Sequence, residues 1–222
     1  MTVRRRPRGA LVALEGIDGA GKSTLLRSLA SALRRRGFSV AVRREPSDGR
    51  LGALAQSVSR TDPWTGAVYF TVDRHLARPE LERALRRHEV VLSDRSFYST
   101  LAYQGSSLPR RERARLEELE RTATIAPDRV LLLDLPVRTA LGRVDGRRRT
   151  LGPLEQRRVL ERVARAYRRL ARGSRWTVLD AGIPASELRR RALDAVLAVL
   201  PAPSPPPRRA RRQRGGGRPA RD

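Results

Sequence analysis

Leu11 to Leu26 reads LVALEGIDGAGKSTLL, and Gly16 to Ser23 within it is a complete G-x-x-x-x-G-K-[ST] run. Leu11 to Leu14 is an apolar run of strand length, and Thr24 to Ala30 is apolar at helical spacing. Strand, glycine-rich turn and helix form the context in which this spacing makes a phosphate-binding loop. The glycines let backbone N–H groups converge on phosphate oxygens, and the helix N-terminus adds a positive dipole. Gly16, Ile17, Asp18, Gly19, Ala20, Gly21, Lys22, Ser23 and Thr24 are thus the expected site for the phosphates of a nucleoside triphosphate. Lys22 would reach the β- and γ-phosphates, and the Ser23 hydroxyl would hold Mg²⁺.

Composition supports this reading. The chain carries 48 basic residues, and Lys22 is the single lysine among them. A sequence that uses arginine everywhere else keeps the compact ammonium where a planar guanidinium would not fit.

At 222 residues the chain suits one domain with a core of its own. No apolar run approaches the ~18 residues of a membrane span. Met1 to Arg8 is basic and precedes an apolar run, but that run is too short for a signal peptide and ends at Glu15. We therefore expect a cytoplasmic protein with no membrane partner. Zero cysteines exclude disulfides and thiolate metal sites. The net charge of +25 has a sharp reading, nucleic-acid binding, and a bland one, a strong arginine bias. The bland reading suits the body, where the charge is spread over many helices. The tail from Pro201 has seven Arg and one Asp. It is left open as a weak binder of nucleic acid or another acidic partner.

Along the chain, apolar or alternating strands are expected at 11–14, 39–43, 89–93, 129–133 and 176–179. Helical patterns lie between them, including a long one from Trp64 to His88 with a break near Pro79. This is an α/β fold of the P-loop three-layer α/β/α kind, with a parallel sheet of about five strands. Ligands then bind beyond the C-terminal strand ends. Gly16, Arg44, Asp94 and Asp134 follow strands, and three of the four are charged. Asp134 ends a hydrophobic run in a Walker-B-like way, but reads as a structural carboxylate at a strand end. Pro201 to Asp222 has the Pro, Gly and Arg content of a disordered tail.

Five further features sharpen the class. The chain resembles the thymidylate kinases, a family of P-loop nucleoside monophosphate kinases, from about Leu11 to Leu200. The matching pieces are EGIDGAGKST at Glu15 to Thr24, REP at Arg44 to Pro46, DR at Asp73-Arg74 after Phe70, DRS at Asp94 to Ser96, and AYQG at Ala102 to Gly105. PD at Pro127-Asp128 also fits. The resemblance implies phosphorylation of dTMP to dTDP by ATP with Mg²⁺, as a homodimer. It also implies a kinase domain over 10–200 with a flexible arginine-rich lid at about 143–155, and composition adds a basic extension over 1–9 and a separate tail over 201–222. A kinase of another nucleoside or nucleoside monophosphate is the nearest alternative. A basic nucleic-acid-binding P-loop protein is a more distant one.

Transferred onto this sequence, the resemblance gives Arg44 and Arg95 the acceptor monophosphate, where arginine forks match phosphate oxygens. Asp94 would join the Mg²⁺ shell, and Asp18 would accept a bond from the sugar 3′-OH. Phe70 would stack on thymine and Arg74 would address its O4. Ser99 or Thr100 would meet the base N3 edge, Tyr103 would pack beneath the sugar, and Gln104 would bond nearby. With no basic residue at Asp18 to Ala20, a lid arginine among Arg143, Arg147, Arg148 and Arg149 would neutralise the transferring phosphate. Two departures stand out: Ser47-Asp48-Gly49 follows REP where the family often has GGT, and Gly152-Pro153 precede Leu154-Glu155 where it often has Asp-Arg.

Overall fold

The computed structural model of the chain describes residues 9–143 and 153–200. The expected extension before Gly9, the lid arginines Arg147, Arg148 and Arg149, and the tail from residue 201 lie outside the described residues.

The strands are β1 (Ala10–Glu15), β2 (Val40–Arg44), β3 (Val90–Asp94), β4 (Arg129–Asp134) and β5 (Trp176–Asp180). They form one sheet in the order β2-β3-β1-β4-β5, and every pairing is parallel. The helices are α1 (Lys22–Arg35), α2 (Arg50–Val58), α3 (Pro63–Arg87), α4 (Phe97–Tyr103), α5 (Arg110–Ala123), α6 (Val137–Arg143), α7 (Pro153–Leu170) and α8 (Ala185–Leu197). A short 3₁₀ turn, Gly105–Ser107, follows α4.

Both faces of the sheet are covered, which explains why its strands read as apolar runs. Leu11 and Val91 pack on one face against Leu81 and Leu85 of α3. Val12, Leu14, Val90 and Leu92 pack in the larger core with Leu29 and Leu33 of α1, Val163 and Tyr167 of α7, and Val196 of α8. Successive strand residues point to opposite faces, so neighbours along β1 serve different layers.

The long helix α3 differs from the sequence expectation. It starts where Asp62 accepts bonds from the Trp64 and Thr65 amides, and runs through Pro79 without a break. Both halves are anchored, by buried Ala67, Thr71 and Arg74 before Pro79 and by buried Leu81 and Leu85 after it. Tertiary packing therefore offsets the lost amide of the proline.

Register aligns the C-terminal strand ends. Arg44 pairs with Asp94 across β2 and β3, and Asp94 pairs with Leu14 across β3 and β1. The chemistry-bearing residues therefore emerge at one rim of the sheet, where open α/β folds bind ligands.

Candidate active site

The phosphate loop is held by its own backbone. Gly16, Gly19 and Gly21 have φ of 140°, 83° and 94°, conformations that side-chain-bearing residues rarely adopt. At Gly19 a Cβ would also lie 2.3 Å from the Ala140 carbonyl oxygen of α6, so the turn has no room for one. Lys22 arches back over the loop and donates to the Gly16 and Ile17 carbonyls, both at 3.0 Å. Gly21 precedes α1 without a side-chain cap, so the first amides of that helix face the crevice. Burial pulls the Lys22 ammonium down to about 8, aided by Arg95 and opposed by Asp18, Asp94 and Glu15. A phosphate in the loop would supply the counter-charge that this ammonium lacks.

Beside the loop, the Ser23 hydroxyl donates to Asp94 at 2.5 Å. A hydroxyl and a carboxylate at the phosphate rim are the oxygen donors that a hard cation such as Mg²⁺ takes. Among the described residues no group of three or more His, Cys, Asp or Glu gathers around a possible metal position. That sparse set suits Mg²⁺, which is usually held by one or two protein oxygens together with substrate phosphates.

Arg95 faces the loop from the end of β3. It is the one non-glycine residue with positive φ among the described residues, at 76°. Such a backbone costs on the order of 1–3 kcal/mol and persists only where the surroundings fix it. Here its amide donates to the Leu14 carbonyl at 3.0 Å, and its carbonyl accepts from Ser93 at 2.6 Å. The guanidinium reaches Asp18 at 2.5 Å and Ser99 at 3.0 Å, and it stacks on the Tyr103 ring, 5.1 Å from the centroid. Protein surroundings push the Asp18 carboxyl up, but Arg95 and then Lys22 outweigh them and hold it below its usual range. The Tyr103 hydroxyl accepts from the Asp18 amide at 3.2 Å, which ties α4 to the loop.

Arg44 contrasts with Arg95. It is exposed, and its guanidinium meets only Asp48, at 3.4 Å, among the recorded ion pairs. The Ser47-Asp48-Gly49 departure has its own anchor. Asp73 accepts from the Ser47 amide at 2.9 Å and from its hydroxyl at 2.5 Å, so the loop after REP is held to α3.

The base-facing candidates are partly brought together. Phe70 is half-buried and belongs to none of the hydrophobic clusters, which leaves its ring free of a core role. Arg74 is buried and committed to protein partners. It donates to Glu45 at 2.6 Å, to both oxygens of Glu120 at 2.9 and 2.8 Å, and to Thr100 at 3.1 Å. Burial works against its charge, but Glu45 and Glu120 hold the guanidinium above its usual range. Glu120 is completely buried, and burial pushes its carboxyl up while Arg74 pulls it down. Thr100 is buried beside Arg74, whereas Ser99 turns towards Arg95 and Glu15. Gln104 caps α4 and opens the 3₁₀ turn.

Asp134, the Walker-B-like residue, accepts both Arg168 bonds, at 3.0 and 2.9 Å. Arg143 ends α6.

Sequence reasoning assigned no role to Glu15 or Tyr167. Glu15 is fully buried at the end of β1 and accepts from the Ser96 amide and hydroxyl, both at 2.7 Å, from Ser99 at 2.6 Å and from Tyr167 at 2.9 Å. Burial pushes its carboxyl up against the pull of these donors and Arg95. The signal was present: a carboxylate closing an apolar strand must find donors in the fold. Their identity was invisible, because Ser96, Ser99 and Tyr167 come from distant parts of the chain.

A lysine-bearing phosphate loop with the guanidinium of Arg95 facing it is the arrangement of a P-loop phosphotransferase. The thymidylate kinase family model matches residues 14–192. A probable thymidylate kinase of Metallosphaera sedula is 35% identical over 190 residues, covering 86% of this chain and 93% of its own length. A thymidylate kinase of Xanthomonas euvesicatoria is 39% identical over 207 residues, covering 90% and 88% respectively. The chain belongs to the thymidylate kinase family.

Proposed function

We propose that the protein transfers the γ-phosphoryl group of ATP to the 5′-phosphate of dTMP, giving ADP and dTDP. An acceptor phosphate oxygen attacks the γ-phosphorus, and the bond to the β–γ bridging oxygen breaks. The observation that carries the reading is Arg95, fixed 2.5 Å from Asp18 of the phosphate loop. A charged fork there would hold the acceptor in line, which is where most of the rate in phosphoryl transfer originates.

Lys22 and the loop amides would bind and orient the triphosphate. Arg95, with Arg44 swinging from the exposed end of β2, would bind the monophosphate. Asp18 would exchange its contact with Arg95 for the sugar 3′-OH. Phe70 would supply the stacking face for thymine, and Arg74, oriented by Glu45 and Glu120, would present its remaining N–H to O4. Tyr103 would underlie the sugar. Thr100, buried beside Arg74, is the candidate for the N3 edge, Ser99 being turned towards Arg95 and Glu15, and Gln104 near the base completes the proposed pocket. Mg²⁺ bound at Ser23 and Asp94 would neutralise charge on the triphosphate. A basic residue among Arg143 and Arg147, Arg148 and Arg149 would add to that neutralisation.

Two coarser expectations belong with this reading. Leu54, Val72 and Leu76 are exposed apolar side chains of α2 and α3, at 44%, 41% and 68%, and a homodimer through this face would cover them. The family reading also carries a cytoplasmic location, and among the described residues no helix is long and apolar enough to cross a membrane.

The test is coupled ADP release with dTMP, dUMP, UMP, dCMP and AMP. The reading expects dTMP first, dUMP below it and UMP poor, because a ribose 2′-OH against Tyr103 would be buried unpaired at a cost of about 1–3 kcal/mol. Preference for AMP or equal use of UMP would replace it with another monophosphate specificity.

A further inference from the structure

We infer that Tyr167 is a positioning residue for Arg95, acting with Ser99 to relay the buried Glu15 carboxylate to the acceptor-binding guanidinium. The inference rests on the proposed reading of Arg95 as the acceptor clamp.

Tyr167 lies on α7, far in sequence from the other members, and is 1% exposed. Its ring fills the main core and meets the Tyr103 ring edge-on, with centroids 6.3 Å apart at 82°. Phenylalanine would fill that space equally well. The hydroxyl is what distinguishes tyrosine here, and a buried hydroxyl must find partners. Its partners all belong to one cluster: Glu15 and Ser99, both at 2.9 Å, and Arg95 at 3.5 Å.

Proton accounting fixes the direction of these bonds. An ionised carboxylate only accepts, and arginine only donates. Glu15 Oε2 accepts from Ser99 at 2.6 Å and from Tyr167 at 2.9 Å. Each hydroxyl has a single proton, so with both directed to Glu15 the 2.9 Å approach of Ser99 and Tyr167 carries no hydrogen of its own. Their lone pairs are then left for Arg95 Nη1, which lies 3.0 Å from Ser99 and 3.5 Å from Tyr167. Charge-assisted bonds of this kind are stronger and more directional than neutral ones. One edge of the guanidinium is thereby pinned, and the other edge, Nη2, turns towards Asp18 and the crevice. The pinning matters because Arg95 departs from a positive-φ backbone, where ordinary rotamer packing gives little guidance.

The experiment compares Tyr167→Phe and Ser99→Ala with the wild type and with Arg95→Ala, alone and combined. Each single variant should lose about tenfold in kcat/KM for dTMP while the KM for ATP stays within about twofold, since misplacement of a positioning group by a fraction of an ångström weakens only the contact it serves. In an Arg95→Ala background both substitutions should have no further effect on the dTMP parameters, because the group they orient is gone. A merely structural role would instead lower both substrates' parameters and persist in that background. Unchanged kcat/KM for dTMP in folded Tyr167→Phe, or an equal loss without Arg95, would overturn the inference. Should Tyr167→Phe fail to fold, Ser99→Ala carries the same test. A wild type inactive on dTMP, or a fully active Arg95→Ala, would remove the parent reading and the inference with it. A sensitive Arg95 beside silent Ser99 and Tyr167 variants would remove the inference alone.

Discussion

The phosphate loop takes consecutive residues from Gly16 to Ser23 and works largely through backbone groups. The region facing it brings together Arg95 from the end of β3, Tyr103 from α4 and Tyr167 from α7, and the proposed acceptor pocket adds Arg44 from β2 and Phe70 and Arg74 from α3. The first region is a local object whose geometry follows from glycine φ angles and one helix N-terminus. The second exists only after the sheet and its covering helices have packed. Two of its three arginines show the consequence. Arg95 is held at both edges by Asp18, Ser99 and Tyr167, while Arg44, among the described residues, makes one exposed ion pair, at 3.4 Å. A local loop can be lost by one substitution within it. An assembled site can be loosened from a distance, through groups that never touch substrate.

The largest expected effect breaks the local half. Lys22→Ala should lower kcat by about 10³-fold or more, because it removes the charge aimed at the transferring phosphoryl group. Lys22→Arg should be nearly as poor, since the ammonium fits a position defined by the Gly16 and Ile17 carbonyls, both at 3.0 Å. Circular dichroism should show both proteins folded. Near-normal turnover in either would remove the phosphate-loop assignment.

Arg74→Ala breaks the assembled half at its foundation. It leaves fully buried Glu120 without its cation, and uncompensated buried charges cost about 3–5 kcal/mol. A denaturant midpoint close to that of the wild type would show that Glu120 is protonated or that another group replaces the pairing.

Arg95→Ala and Arg44→Ala sharpen the contrast within the assembled half. The first should lower kcat with dTMP by roughly 10²-fold and leave the KM for ATP almost unchanged. The second should cost about tenfold, expressed mainly in the KM for dTMP, because an unpinned side chain contributes binding more than alignment. Steady-state kinetics with each substrate varied in turn would measure both. Equal effects of the two substitutions would mean that the pinning of Arg95 has no catalytic value.

The smallest effect compares the two halves through pH. With the Lys22 ammonium drawn down to about 8 from its ordinary 10.5, the nucleotide-free protein loses this charge progressively above pH 8. The charged form binds phosphate, so kcat/KM for ATP should fall roughly fivefold between pH 8 and pH 9. The stability contribution has the opposite sign. Between pH 8 and 10.5 the unfolded chain binds more protons at this lysine, so the nucleotide-free protein gains stability from it as pH rises. Binding isotherms and thermal melts over that range would check both signs. Lys22→Ala should abolish both dependences.

The amino-acid sequence alone determined the phosphate loop, the alternation of strands and helices, and the family. Each of these rests on short-range spacing: glycines in a turn, apolar periodicity, and contiguous runs such as REP and AYQG. It also singled out Arg44, Phe70, Arg74, Asp94, Arg95 and Tyr103 as candidates, because each lies in or beside such a run. Only the tertiary structure decided how those side chains are held. The unbroken course of α3 through Pro79 comes from burial on both sides of the proline. The turning of Ser99 towards Arg95, the commitment of Arg74 to Glu45 and Glu120, and the convergence on Glu15 join residues separated by up to 152 positions. The physical reason is burial: a charged or hydroxyl group removed from water must be matched by partners, and those partners are supplied by whichever elements the sheet order brings alongside.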